Sequence, residues 1–248
     1  MPQFLEVGAG ADARRIAVLT RDGRAPAVVW LGGFRSDMRS TKAEALDAWA
    51  ERTGRAFVRF DYSGHGDSGG RFEEATISRW LEDSLSVVAT FGGERPVLVG
   101  SSMGGWLALL AARAMREPPG GLVLIAPAVD FTERLMWDLF PADIRRAIEE
   151  KGVYLRPSLY SEEPYPITRG LIEDGRRHLL LGGPIATGCP VHILQGMQDP
   201  DVPWRHALEL VEHLPGESVS MTLVKDGDHR LSRPEDLDRL IAAIEAIA

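Results

Sequence analysis

A chain of 248 residues, 44% hydrophobic and 26% charged, suits a single α/β domain with core enough to need neither disulfides nor metal. Its net charge of -8 and pI of about 5.3 argue against nucleic acid or an anionic membrane surface as main partner. With a mean hydropathy of -0.10 and no apolar run approaching about 18 residues, a membrane span is excluded as well. The single cysteine, Cys189, rules out an internal disulfide and any cysteine metal cluster, and reads as a small buried hydrophobe. Lysine stands only at 42, 151 and 225; the Arg excess reads as a composition bias. The opening Met-Pro-Gln-Phe-Leu-Glu-Val has no basic or long apolar segment, so the expectation is a cytoplasmic protein without a signal peptide.

Residues 3–7 and 14–20 read as short strands, with Asp22-Gly23 as a turn. Ala27–Leu31 is continuously apolar, the mark of a buried strand, and Gly32-Gly33-Phe34 breaks it. Residues 41–53 carry helical spacing (Ala45, Leu46, Trp49), with Thr41 as the N-cap. The strand 56–60 runs into the turn Asp61-Tyr62-Ser63-Gly64-His65-Gly66-Asp67-Ser68-Gly69. A helix over 76–90 aligns Ile77, Trp80, Leu81, Leu85 and Val88 on one face. The strand Val97–Val99, a helix to about 115 and the strand Leu122–Ala126 complete a βα alternation. Continuous apolar strands in that rhythm predict a mostly parallel sheet covered on both faces.

The rhythm stops at 131. Between Phe131 and Gly188 the sequence predicts a helix at 141–151, a Pro/Tyr-rich stretch at 152–166 and a helix at 167–181, with no buried-type strand. This is the pattern of a lid or cap over residues 131–188, inserted into a core of 1–130 and 189–248. The sheet resumes at Val191–Gln195. A helix from Trp204 to Leu214, a strand at 218–224 and a last helix follow. Ser232-Arg233-Pro234-Glu235 reads as that helix's capping box.

The chemistry centres on Gly100-Ser101-Ser102-Met103-Gly104, a G-x-S-x-G elbow between strand and helix. A side chain lifted from so sharp a turn needs small neighbours two residues either side. Gly100 and Gly104 meet that need for Ser102, whereas Ser101 would need glycines where Val99 and Met103 stand. Gly105 gives room for the helix to pack closely. A serine hydroxyl attacks only if a base takes its proton, so a histidine and an orienting acid are expected downstream. His229, on the loop after the last strand, is the base; His65, His178, His192, His206 and His213 lie in a turn, the lid, a strand and a helix. Asp199 and Asp201 compete for the acid on the loop 195–204, with Asp130 after the preceding strand as a third candidate. Whichever of the loop pair is not the acid is free for another task, and Asp201 would then read as a cap for the helix that Pro203 begins. Backbone N–H groups of Phe34 and Met103 are the expected oxyanion hole.

These residues resemble the α/β-hydrolases, and more closely the branch of mitochondrial palmitoyl-protein thioesterase and mycophenolic acid acyl-glucuronide esterase. The likeness runs through Ser36-Asp37-Met38, Thr41-Lys42-Ala43, Arg59–Gly64, Gly100–Trp106 and Asp199 with Val202-Pro203-Trp204. It includes the lid motifs Lys151-Gly152-Val153, Pro157-Ser158 and Tyr160–Glu163. The resemblance implies an α/β-hydrolase fold with an eight-stranded, mostly parallel sheet, helices on both faces and a small lid insertion. It also implies Ser102, Asp199 and His229 as nucleophile, acid and base. The departure, no Arg-rich transit segment, gives the chain the look of a bacterial relative.

The expected activity is hydrolysis of acyl esters or thioesters through an acyl-enzyme, with no cofactor and no metal, on a small-molecule or acylated substrate. Met136, Trp137, Phe140 and Tyr154, with Leu139, Tyr160 and Tyr165, either line an acyl pocket or anchor the lid to the body. A peptidase or a carbon–carbon bond hydrolase could use the same three residues. A non-catalytic ligand-binding protein of the same fold is the alternative outside enzymes.

Overall fold

The computed structural model describes residues 1–157, 164–216 and 218–248. Strand β1 (Gln3–Val7) pairs antiparallel with β2 (Arg14–Arg21). There follow β3 (Arg24–Leu31), α1 (Thr41–Thr53), β4 (Arg55–Phe60), α2 (Ile77–Phe91), β5 (Val97–Ser101), α3 (Met103–Ala114) and β6 (Gly121–Ile125). An excursion then carries α4 (Ala142–Lys151), β7 (Val153–Arg156), β8 (Tyr165–Thr168) and α5 (Arg169–Gly175). The chain ends with β9 (Val191–Gly196), α6 (Trp204–His213), β10 (Val219–Val224) and α7 (Pro234–Glu245). The main sheet has eight strands in the order β1-β2-β4-β3-β5-β6-β9-β10. Every pairing from β4 to β10 is parallel, as the alternation of apolar strands and amphipathic helices requires.

Successive residues of the central strands serve opposite faces. Val28, Trp30, Val97, Val99, Val123 and Ile125 pack with Leu46 and Trp49 of α1 and Leu240 and Ile244 of α7. Their neighbours Val29, Leu31, Leu98, Leu122, Leu124 and Ile193 join Trp80 of α2, Leu107 of α3 and Leu210 of α6 on the other face. Trp30, Trp80 and Trp106 are almost wholly buried, and burial of side chains that size contributes roughly 3 kcal/mol each. Among the described residues, no helix is long and apolar enough to cross a membrane.

Three local expectations shift. Helix α1 takes Ser40, not Thr41, as its N-cap residue. The capping box of α7 lies one residue later than read: Arg233 is the cap and the Asp236 carboxylate accepts the Arg233 N–H. Proline fits the first helical position because it has no N–H to satisfy there, so Pro234 forces the cap onto Arg233, and Ser232 instead donates to the Arg230 carbonyl. Asp201 does not cap α6, whose N-cap residue is Pro203.

The excursion leaves and rejoins the sheet at neighbouring strands, β6 and β9. It holds a small antiparallel pair, β7 with β8, where Val153 faces Thr168. Sequence periodicity missed this pair because each strand has four residues and β7 exposes apolar Val153 and Leu155. The expected helix at 167–181 is α5 followed by a 3-10 turn at Arg176–His178. Asp130, buried just past β6, accepts the N–H groups of Leu180 (2.8 and 3.0 Å) and Leu181 (2.9 Å). The carboxylate therefore joins the two ends of the excursion.

Candidate active site

The elbow is built by close approach. A Cβ on Gly104 would lie 2.0 Å from the Leu31 carbonyl oxygen, and one on Gly100 would lie 2.3 Å from that of Gly104. A Cβ on Gly105 would meet Pro127 at 2.9 Å. Ser102 itself has φ 54° and ψ -118°, a conformation that costs on the order of 1–3 kcal/mol unless its surroundings impose it. They do: its N–H donates to Ile125 O (2.8 Å), and its carbonyl accepts from Gly105 (2.9 Å) and Ala128 (3.1 Å). Ser101 closes β5 and is buried.

His229 and Asp199 reach Ser102 from two loops stitched together. Met197 N donates to Val224 O and Gln198 N to Gly227 O, both at 2.9 Å. Gly196 permits this, since a Cβ there would strike the Gly227 and Asp228 carbonyls at 2.4 and 2.5 Å. His229 Nε2 lies 3.1 Å from Ser102 Oγ and Nδ1 lies 2.7 Å from Asp199 Oδ2. The other Asp199 oxygen accepts Asp201 N and Val202 N, each at 2.8 Å. Gln195 Nε2 adds a donor at 3.2 Å to Oδ2. With the Asp199 side chain fully buried, this set of donors holds the carboxylate in one orientation. Asp130, the alternative acid, is committed to the Leu180 and Leu181 amides, and burial raises its pKa.

Asp199, Asp201 and His229 each bring one ligand-type atom within 4.8 Å of the others. Both oxygens of Asp199 and both nitrogens of His229 are already hydrogen-bonded as above, an arrangement suited to moving a proton rather than to holding a metal ion. The remaining histidines are committed to other partners. His206 Nε2 contacts the Val129 carbonyl at 2.8 Å, His192 contacts Thr222 and Ser220, and His178 contacts Ser78.

Ser102 opens into a cavity of about 630 Å³ whose lining includes Phe34 and Met103. As the first residue of α3, Met103 carries one of the N–H groups a helix cannot satisfy internally. The Phe34 ring is held edge-on by Phe72, Trp80, Phe131 and Tyr165, with centroids 5.1–5.8 Å away. Of the four pocket residues expected from the excursion, Met136 lines the cavity and Trp137, Phe140 and Tyr154 do not. Trp137 lies beneath the guanidinium groups of Arg176 (4.8 Å) and Arg145 (5.8 Å). Phe140 packs on Tyr154 with centroids 5.9 Å apart. These three aromatic residues hold the excursion together. Tyr165 lines the cavity, Leu139 is exposed, and Tyr160 lies outside the described residues.

Sequence reading missed several lining residues, among them Phe131, Leu135, Arg156 and Lys42. Lys42 donates to the Arg230 carbonyl and to Ser232 Oγ, and burial lowers its pKa to about 8. One signal was available for Lys42: it is a lysine in a chain that otherwise favours arginine. Gln195, a wholly buried polar residue within an apolar strand, was another signal left unread.

Residues 23–243 match the model of a family described as the alpha/beta hydrolase family. Over 235 residues the chain is 37% identical to the mitochondrial palmitoyl-protein thioesterase ABHD10 of Bos taurus, covering 94% of this chain and 76% of that protein. The Homo sapiens protein of the same name is 36% identical over the same share. Among solved structures, a putative hydrolase from Agrobacterium vitis S4 superposes with a TM-score of 0.96 at 52% identity, covering 100% of this chain and 98% of that one. Mouse alpha/beta hydrolase domain-containing protein 10 gives 0.89 at 35% identity, covering 99% and 97%.

Proposed function

The chain belongs to the alpha/beta hydrolase family, and from that premise we propose a serine hydrolase that cleaves acyl esters and thioesters through Ser102, His229 and Asp199. The observation that carries the reading is the unbroken chain Ser102 Oγ–His229–Asp199, at 3.1 and 2.7 Å. His229 Nε2 takes the Ser102 proton as Oγ attacks the acyl carbonyl. Phe34 and Met103 N–H groups receive the negative charge that develops on the carbonyl oxygen. The tetrahedral intermediate collapses, and His229 returns the proton to the departing alcohol or thiol. Water, deprotonated by the same nitrogen, then attacks the acyl-enzyme and releases the acid. Asp199 keeps the His229 proton on Nδ1 and stabilises the imidazolium that forms in each half-reaction.

Residues 131–188 serve as a cap, contributing Leu135, Met136 and Tyr165 to the wall of the cavity that Ser102 also lines, where the acyl group would sit. The names of the curated relatives support an acyl thioester as one substrate class. A cytoplasmic location is our proposal beside the mitochondrial one that those names carry.

Matched oxygen-ester and thioester series from acetyl to palmitoyl, with Ser102→Ala as blank, test the reading. We expect the substitution to lower kcat by at least ~10³-fold and to abolish the fluorophosphonate adduct on the protein. Turnover close to that of the parent in Ser102→Ala would overturn it.

A further inference from the structure

The turn after β4, Asp61-Tyr62-Ser63-Gly64-His65-Gly66, takes no part in the chemistry above, yet it grips the segment that carries Phe34. That segment is poorly suited to hold itself. Gly32 and Gly33 have the widest backbone freedom of any residue type. Arg35 sits at φ 61°, a left-handed conformation that costs a non-glycine residue roughly 1 kcal/mol or more. Its internal restraint is a turn bond from Ser36 N to Gly33 O at 3.1 Å.

The other restraints come from outside. Tyr62 Oη donates to the Gly32 carbonyl at 3.3 Å, and the Arg35 N–H donates to His65 Nε2 at 3.1 Å. Further along, the Asp61 carboxylate accepts Met38 N at 2.7 Å. The two bonds to Gly32 and Arg35 bracket Gly33 and Phe34. Because Nε2 accepts, the neutral ring carries its proton on Nδ1, which donates to the Ser63 carbonyl at 3.2 Å. Tyr62, Phe72 and Trp80 meet the ring edge-on at 5.2–5.7 Å. The turn is itself held from behind, since Asp83 of α2 accepts Ser63 N and Oγ at 2.9 and 2.7 Å.

We propose that His65 is a positioning residue for the hydrolysis: by accepting the Arg35 N–H opposite the Tyr62 clamp on Gly32, it fixes the Phe34 N–H toward the developing oxyanion. The inference rests on the oxyanion role assigned to Phe34 under the proposed function. Donors that act on a transition state must be aimed before charge appears, and a loop left free to reorient loses that advantage.

His65→Phe keeps a planar ring and removes the acceptor; His65→Gln returns an acceptor at the reach of Nε2. We expect His65→Phe to lower kcat by about 10- to 100-fold, short of the full loss of a donor, with KM within about threefold. Single-turnover acylation and deacylation fall together, because both steps build the same oxyanion. His65→Gln recovers kcat to within about fivefold of the parent. Should His65→Phe fail to fold, Tyr62→Phe loosens the other side of the bracket and lowers kcat by about 3- to 10-fold at constant KM. A folded His65→Phe with parental kcat, a loss carried by KM, or no recovery in His65→Gln would overturn the role of His65; so would a parental kcat in Tyr62→Phe. Ser102→Ala, measured alongside, separates the two readings. Parental turnover there removes the serine mechanism itself, whereas its loss beside an unimpaired His65→Phe removes the positioning role alone.

Discussion

Replacing Asp199 by Asn preserves shape and turns one acceptor into a donor. One carboxylate oxygen accepts the Asp201 and Val202 amides at 2.8 Å each, so the Asn oxygen stays there and its NH2 faces His229 Nδ1, now at 2.7 Å from Oδ2. Two donors cannot share that contact. The imidazole must move its proton to Nε2, toward Ser102, and the base is lost. The expected fall in kcat is about 10⁴-fold, or roughly 5.5 kcal/mol of barrier. Stability should fall only modestly, by about 1 kcal/mol, because both backbone bonds survive and Gln195 Nε2, which loses its acceptor at Oδ2, keeps the Gly196 and Val202 carbonyls at 3.0 Å. The assay is steady-state hydrolysis of an activated acyl ester and its thioester, corrected with Ser102→Ala, beside a thermal melt. A loss below about tenfold would refute the argument. So would an equal loss of kcat in a fully folded Asp130→Asn or Asp201→Asn.

Asp130→Ala should leave the Leu180 and Leu181 amides without their acceptor and cost about 2–4 kcal/mol, read as a lower denaturant midpoint. Gly104→Ala sets a methyl 2.0 Å from the Leu31 carbonyl; we expect at least ~3 kcal/mol of destabilisation or failure to accumulate folded protein, checked by urea unfolding. Acid should also destabilise the chain through His65, whose pKa burial lowers from 6.5 to about 4. Between those values the unfolded imidazole binds a proton that the folded one refuses, so stability falls as pH drops through that window, by up to ~3 kcal/mol. Urea unfolding of the parent against His65→Gln from neutral pH to pH 4 should show a steeper acid loss in the parent.

What the sequence made legible follows from how local each cause is. The sheet, its two covered faces and the elbow depend on short-range patterns: apolar runs such as Val97–Val99, helical spacing in α2, and glycines two residues either side of Ser102. His229 could be chosen by its place after β10, but place after β9 leaves Asp199 and Asp201 competing; the resemblance favours Asp199, which the geometry sets 2.7 Å from His229. Trp137, Phe140 and Tyr154 were beyond that kind of reading. An aromatic residue in an irregular excursion packs by tertiary contact, and composition alone does not separate a wall facing a cavity from a wall facing Arg176 or a neighbouring ring. The clamp on Phe34 was hidden for the same reason, since the Arg35 N–H and His65 are 30 residues apart. The one-residue shift in the α7 cap was legible in principle from Pro234, whose preference for the first helical position outweighs the Ser/Glu spacing.

The bond from Asp130 to Leu180 and Leu181 gives the excursion a closed neck. Beyond that neck the excursion is pinned to the body at a few further points: Asp174 of α5 accepts Ser78 N and Oγ of α2 at 2.7 and 2.8 Å, and the Trp106 indole donates to the His178 carbonyl at 3.3 Å. Strand register in β6 and β9 is set below that junction by their direct pairing, and the acid, base and nucleophile are set by loops that belong to the sheet. Changes at exposed positions of the excursion, such as Val153 and Leu155 of β7, can therefore be made while the acid, base and nucleophile keep their places, whereas Phe131 and Tyr165 brace the Phe34 ring and are not exchanged so freely. In such an architecture substrate range can drift through evolution, or be altered by grafting, at the excursion's outer positions, while the residues that brace Phe34 tie its inner face to the chemistry beneath.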